Sequence, residues 1–222
     1  VKGNLIVSGT NSNFQISNTD LHTVRVDGDV SVGADATFDV QNSGVAKAHN
    51  VVLSGSLSNE GTFDMNPDDT QGGYRALVTF DGTTDETISG GGTTDFERLI
   101  ISKGTSQTPV LQVAASATNL SISGDATLQD KPLTLMNGTF RYSAATADTI
   151  NLSISQSVAY YFTIPATACL WIDHADAKMQ MTGSDDHYFD LYGKLKISDG
   201  ALYIGTDSGE VSDVPGYDWR YL

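Results

Sequence analysis

A short glycine-containing phrase recurs along the chain. An apolar-x-apolar-small-Gly pattern ends at five glycines, which are Gly9, Gly28, Gly55, Gly124 and Gly193. The interval from Gly9 to Gly28 is about 19 residues and that from Gly28 to Gly55 is about 27 residues. Each of the two longer intervals equals about three times 23 residues. A period in this range fits one coil of a parallel β-helix, in which each coil stacks on the next and like residues line a continuous core.

Between these glycines, apolar and polar residues alternate with the period of two that is typical of strands with one buried face. Examples are Leu5 and Val7, Phe38 and Val40, and Leu120 and Ile122. No window keeps apolar residues at helical spacing for three turns, so we expect few or no helices. The sequence predicts an all-β, right-handed parallel β-helix, or β-solenoid, of roughly nine or ten coils at about 23 residues each. A pair of β-sandwich modules is the alternative.

A chain of 222 residues is long enough for one elongated domain. We predict a single solenoid domain over residues 1–212. Within it, residues 143–192 contain more bulky aromatic residues and fewer glycines, which indicates a wider coil or an inserted region. Residues 213–222 are predicted to be a cap or a linker, because the open end of a solenoid exposes apolar core and unpaired strand edges. The chain starts in the middle of the repeat pattern, so we expect it to be part of a longer protein.

The chain is acidic, with 27 Asp and Glu residues against 12 Lys and Arg and a formal net charge of -15. Such a charge repels phosphate backbones and anionic lipids, so nucleic acids and membranes are not expected partners. Cys169 is the only cysteine, which excludes an internal disulfide. No apolar run approaches the ~18 residues of a membrane span.

Two segments resemble known repeat proteins. Residues 78–104, VTFDGTTDETISGGGTTDFERLIISKG, resemble a phrase of very large surface and secreted proteins of the Bacteroidetes group, and residues 120–142 are similar to the coils that follow it. Glu97 and Arg98 stand where that phrase often has an aromatic residue and Asn. More loosely, the whole chain resembles autotransporter and filamentous-haemagglutinin passengers, which are adhesive right-handed β-helices.

The resemblance implies a non-enzymatic structural and adhesive segment of a large exported protein, located outside the cell or on a bacterial surface. Its expected partners are a host or environmental surface glycan or protein and the flanking domains of the same polypeptide. No catalytic residues come with this family. Three aromatic residues in the last ten positions, Tyr217, Trp219 and Tyr221, are candidate sugar-stacking residues, with coverage of the solenoid end as the alternative.

A polysaccharide-active β-helix enzyme, either a lyase or a glycoside hydrolase, or a carbohydrate-binding module is the alternative function. Asn18-Thr19-Asp20 and Asp185-Asp186-His187 resemble parts of the polygalacturonase signature. Asp20 and Asp185 lie near opposite ends of the chain, however, whereas these elements occupy adjacent coils in that family. The basic residues are scattered, so no cationic cleft of the kind a lyase needs is predicted. We therefore predict no catalytic residue.

Calcium is the one cofactor that the acidic loops favour. Asp68 and Asp69 lie in NPDDTQGG, and Asp185, Asp186 and Asp190 lie in GSDDHYFD. Each loop gathers oxygen donors of the kind that this hard cation prefers. Neither loop matches an EF-hand or a calcium β-roll, so a solvated acidic loop is the alternative.

The four histidines lack zinc-site spacing. His174, with Asp173 and Asp176 beside it in the sequence, forms either a surface site or an exposed turn.

Overall fold

The computed structural model describes residues 1–67, 73–124, 131–145, 149–153, 160–181 and 187–204. These residues contain twenty β-strands and no helix. The strands are β1 (Leu5–Val7), β2 (Asn13–Ile16), β3 (Thr23–Val26), β4 (Val30–Val32), β5 (Thr37–Val40), β6 (Ala48–Leu53), β7 (Leu57–Asn59), β8 (Thr62–Asp64), β9 (Arg75–Phe80), β10 (Glu86–Ser89), β11 (Thr93–Phe96), β12 (Arg98–Ser102), β13 (Val110–Val113), β14 (Leu120–Ile122), β15 (Leu133–Tyr142), β16 (Ile150–Ser153), β17 (Tyr160–Ile164), β18 (Ala168–Met181), β19 (His187–Leu191) and β20 (Lys194–Ile204).

The strands stack on three sides of one axis. The first face runs from β1 through β4, β7, β10 and β13 to β15, β18 and β20. The second face is β2-β5-β8-β11-β14, and the third runs from β3 through β6, β9 and β12 to the start of β15. Every strand pairing among the described residues is parallel.

Because each strand from β1 to β12 pairs with the strand three places later in the sequence, the chain winds around the axis as a parallel β-solenoid. The solenoid has about six turns, five of which carry a strand on each of the three faces, and the first face continues to β20. The prediction of an all-β solenoid with few or no helices is confirmed.

The turns are longer than the sequence predicted. On the first face Leu5 pairs with Val30, Val30 with Leu57 and Leu57 with Ile88, so the length of a turn grows along this part of the chain. Corner connections such as residues 41–47 and 103–109 add length between the strands. The observed turns are accordingly fewer than the nine or ten that the sequence predicted.

The recurring glycine has a structural cause at one corner of the solenoid. A Cβ on Gly55 would lie 2.5 Å from the carbonyl oxygen of Gly28, and a Cβ on Gly82 would lie 2.5 Å from the carbonyl oxygen of Ser54. Glycine is required there because the backbones of successive turns pass this close to each other. Gly82 also ends the apolar-x-apolar-small-Gly pattern, in VTFDG, but the five glycines named from the sequence did not include it.

Gly193 precedes β20 of the first face, as Gly28 precedes β4 and Gly55 precedes β7, whereas Gly9 follows β1 and Gly124 follows β14. The intervals measured in the sequence therefore compared glycines that occupy different positions within a turn.

A continuous core fills the space between the faces. On the first face, in-register residues of successive turns form one buried column, which contains Val30, Leu57, Ile88, Val113, Tyr142 and Ile172. The same row ends at the partly buried Leu5 on β1 and at Ile197 on β20, which is 46% exposed. On the second face, the rings of Phe38 and Phe63 are 5.1 Å apart and those of Phe63 and Phe96 are 5.7 Å apart. All three of these side chains are fully buried, so the stacking of like residues supplies the hydrophobic core.

Candidate functional site

Most of the residues predicted to bind a ligand or calcium lie outside the described residues. These are Tyr217, Trp219, Tyr221, Asp68, Asp69, Asp185 and Asp186. Asp190 is described; it lies on β19, in register with Thr163 of β17. Across the described ranges, no group of three or more His, Cys, Asp or Glu side chains is placed to hold a metal ion. The calcium site stays a prediction.

The Asn18-Thr19-Asp20 motif lies at a corner where Asn18 has a structural role. Asn18 and His49 are buried, and the Nε2 atom of His49 lies 2.9 Å from the Oδ1 atom of Asn18. The Nδ1 atom of His49 accepts a hydrogen bond of 3.1 Å from the backbone N–H of His22. Burial lowers the pKa of His49. The neutral imidazole thus satisfies polar groups between two turns.

The predicted cluster around His174 does not converge on one point. The carboxylate of Asp173 accepts a hydrogen bond of 2.8 Å from the Nε atom of Arg141, on the preceding turn. The Nδ1 atom of His174 instead accepts a hydrogen bond of 3.1 Å from the backbone N–H of Asp176. Asp173 therefore binds Arg141 and does not contribute to a site at His174.

Arg141 lies beside a groove of about 190 Å³ on the first face, which we name the Trp171 groove. Its lining consists of Gln107, Val110, Thr139, Cys169, Trp171, Lys194 and Lys196. The strand register brings these residues together, because in-register residues of a parallel sheet point to the same side. Thr139, Cys169 and Lys194 form one row across β15, β18 and β20. Arg141, Trp171 and Lys196 form the next row, two positions further along.

The indole of Trp171 is held by its neighbours in that row. The guanidinium carbon of Arg141 lies 4.1 Å from the ring centre, and the Nζ atom of Lys196 lies 3.3 Å from it. Both distances are typical of cation–π contacts. The indole N–H donates a hydrogen bond of 2.8 Å to the hydroxyl of Ser198. Trp171 is thus fixed in the groove before any ligand arrives.

One wall of the groove is the connection between β12 and β13. The hydroxyl of Thr139 donates a hydrogen bond of 2.7 Å to the carbonyl of Gln107, and the side-chain amide of Gln107 donates one of 3.0 Å to the carbonyl of Ala166. These bonds link three successive turns and fix Gln107 at the edge. Cys169 is buried, and burial raises the pKa of its thiol, so it remains protonated and acts as floor rather than as a nucleophile.

The Trp171 groove is a positively charged place on an acidic chain. Lys194 and Lys196 line it, and Arg141 lies beside it with its guanidinium in an ion pair with Asp173. Lys194 is exposed and Lys196 is half-buried. A cationic and aromatic groove of this kind is suited to an anionic group on a ligand.

The expectation that the basic residues are scattered is wrong at this position. Arg141, Trp171 and Lys196 follow one another at intervals of one solenoid turn, and both intervals are longer than the coil that the sequence predicted. The row becomes visible in the sequence only when residues are aligned at the observed turn lengths.

The second face carries a different array, made of in-register Thr-x-Asp segments. Thr37, Thr62 and Thr93 form one row and Asp39, Asp64 and Asp95 form the next. Asp39 accepts a hydrogen bond of 3.3 Å from the side-chain amide of Gln15, and Asp95 accepts one of 2.6 Å from Ser121. Burial, and to a smaller extent the charge of Asp64, raises the pKa of Asp39, whereas the Gln15 hydrogen bond opposes this rise.

Comparison of the chain with protein-family models, with curated proteins and with solved structures yields no match. The resemblance to Bacteroidetes surface proteins therefore stays an expectation from the sequence. Across the part of the chain that the structure describes, there is no helix of the length and apolarity that a membrane crossing requires.

Proposed function

We propose that this chain is a rigid, non-enzymatic stalk segment of a large exported cell-surface protein, and that it attaches to surface glycans or proteins through side chains on its faces. The observation that carries this proposal is the continuous parallel pairing of the first-face strands from β1 to β20. Because each turn is hydrogen-bonded to the next and shares its core, bending the axis requires the loss of several contacts at once.

The proposed hand of the solenoid is right. Parallel strands of one sheet are joined by right-handed crossovers in about 98% of cases, because of the twist of the strands. A right-handed winding also agrees with the adhesive β-helices that the chain resembles.

Adhesion is the proposed use of the stalk because one face of the solenoid repeats its outward side chains from turn to turn. The in-register rows of the second face present Thr and Asp side chains about every 4.8 Å along the axis. Extended polymers such as polysaccharides also repeat along one direction. The acidic surface as a whole limits self-association, as in other soluble chains of high net charge.

Two measurements test this function. The purified chain is applied to an array of neutral and acidic polysaccharides, and the release of reducing ends is followed in the same samples. We expect retention on at least one glycan without cleavage. Turnover of any polysaccharide would instead favour the alternative of a polysaccharide-active enzyme, and the absence of retention on every glycan of the array would contradict glycan adhesion.

A further inference from the structure

We propose that the Trp171 groove binds an acidic saccharide, in which the carboxylate of a uronic-acid residue contacts Lys194 and Lys196. This proposal deepens the proposed function and rests on it for the glycan nature of the partner. Its structural basis is the row register that places cationic and aromatic side chains side by side.

The two lysines are spaced to share one anionic group. Lys194 and Lys196 lie two positions apart on β20, so their side chains leave the same side of the strand from Cα atoms about 6.6 Å apart. The Nζ atom of Lys196 is held over the Trp171 ring, whereas Lys194 is exposed at the rim. A carboxylate between them gains charge-assisted hydrogen bonds from both.

The floor and edge of the groove suit a sugar ring. Val110 and Cys169 give an apolar floor, and Gln107 and Thr139 give a polar edge. The volume of about 190 Å³ is below the roughly 300–1,000 Å³ of pockets for drug-sized ligands, so the groove holds one ring-sized group. Because Arg141 and Lys196 both contact the Trp171 ring, the sugar meets the edge of the indole.

The floor of the groove disfavours a peptide ligand. It lies over β13, β15 and β18, whose backbones are paired on both sides in parallel ladders, and only Lys194 and Lys196 come from β20, which among the described strands pairs with β18 alone. An extended peptide gains most of its affinity by adding a strand to a free sheet edge. At this face only side chains are offered, which favours a ligand recognised by its ring, hydroxyls and charge.

The test is isothermal titration of the full chain with tri-galacturonate, with the fully methyl-esterified trimer as a matched neutral ligand and with a tri-glutamate peptide. We expect binding of tri-galacturonate that weakens as salt is added, and at least about five-fold weaker binding of both other ligands. Equal binding of the methyl ester would overturn the role of the carboxylate. Equal binding of tri-glutamate would overturn the choice of a saccharide, and no binding of tri-galacturonate would overturn the site.

Variants locate the site. Lys194→Gln and Lys196→Gln are each expected to weaken tri-galacturonate binding about five- to ten-fold, and Lys194→Arg to retain most of it. Lys2→Gln changes the net charge equally but lies at the other end of the solenoid, so it should leave binding unchanged. Equal losses in Lys194→Gln and Lys2→Gln would contradict the groove as the site. Thermal melting confirms that each variant is folded.

Failure of this inference is distinguishable from failure of the proposed function. If tri-galacturonate does not bind but the chain is still retained on other glycans, the groove proposal fails and the adhesive function stands. If tri-galacturonate binds and is cleaved, the groove proposal stands and the non-enzymatic function fails.

Discussion

Lys103 and Glu86 form an ion pair inside the solenoid, where Lys103 is fully buried and Glu86 is 5% exposed. Glu86 is in register with Leu111 of the next turn, so its carboxylate occupies a position that is apolar on the following strand. Burial raises the pKa of Glu86, and the hydrogen bond from Lys103 opposes this rise. Each charge is therefore tolerated in the core because the other is present.

Removal of one member of this pair should destabilise the protein strongly. We expect Lys103→Met to lower the free energy of unfolding by about 3–5 kcal/mol, because it leaves a buried carboxylate without its cation. The double variant Glu86→Gln/Lys103→Met should recover most of this loss, as urea unfolding can measure. Asp27→Asn, which removes an exposed partner of Arg25, is the control and should change the stability little. A double variant as unstable as the single one would contradict the pairing.

The close approach of two turns at Gly55 predicts that a change of glycine to alanine lowers stability there and not at an open position. Gly55→Ala places a Cβ 2.5 Å from the Gly28 carbonyl oxygen, whereas a Cβ on Gly3 has nothing within 4 Å. We expect Gly55→Ala to cost about 1–3 kcal/mol through overpacking and Gly3→Ala to have little effect. Denaturant unfolding of both variants checks this, and equal stability would show that the turns are not stacked at this corner.

The stacked rings of Phe38, Phe63 and Phe96 predict how much stability the protein loses when one of them is removed. Phe63 is fully buried between Phe38 and Phe96, so we expect Phe63→Ala to cost about 3–5 kcal/mol. Ile6 on β1 is 66% exposed, and Ile6→Ala should change stability little. Chemical unfolding compares the two variants. A loss below about 1 kcal/mol for Phe63→Ala would mean that the column is not packed as described.

The acidic row on the second face predicts a pH dependence. The folded-state pKa of Asp39 is raised above its ordinary value of 3.8, so its contribution to stability is fully present below that pH and is lost as the pH rises through the folded value. Asp39→Asn should therefore stabilise the protein at neutral pH and lose this advantage below about pH 3.8. Asp35→Asn, at an exposed turn position, is the control. Unfolding curves at several pH values test this, and destabilisation by Asp39→Asn at neutral pH would contradict it.

Local features of the fold were predictable from the sequence, and the features that depend on register were not. The alternation around Phe38 and Val40 identified a strand with one buried face, because a period of two follows from strand geometry alone. The contacts between turns require the exact length of each turn. Since the turns differ in length along the first face, the row of Arg141, Trp171 and Lys196 does not follow from one assumed period. The Glu86–Lys103 pair lies within one turn and depends on two charged side chains both facing the core, which the alternation of apolar and polar residues does not predict.

The central claim, that successive turns lie directly on one another, is tested most directly by distances between spin labels. In a Cys169→Ala background, one label replaces Ile6 of β1, and the second replaces either Ala114, directly after β13, or Ser198 of β20. β13 and β20 lie four and seven strands beyond β1 along the first face. At about 4.8 Å per strand, the backbone separations should be about 19 Å and about 34 Å. A second distance no longer than the first, as a folded-back sandwich would give, would contradict the solenoid.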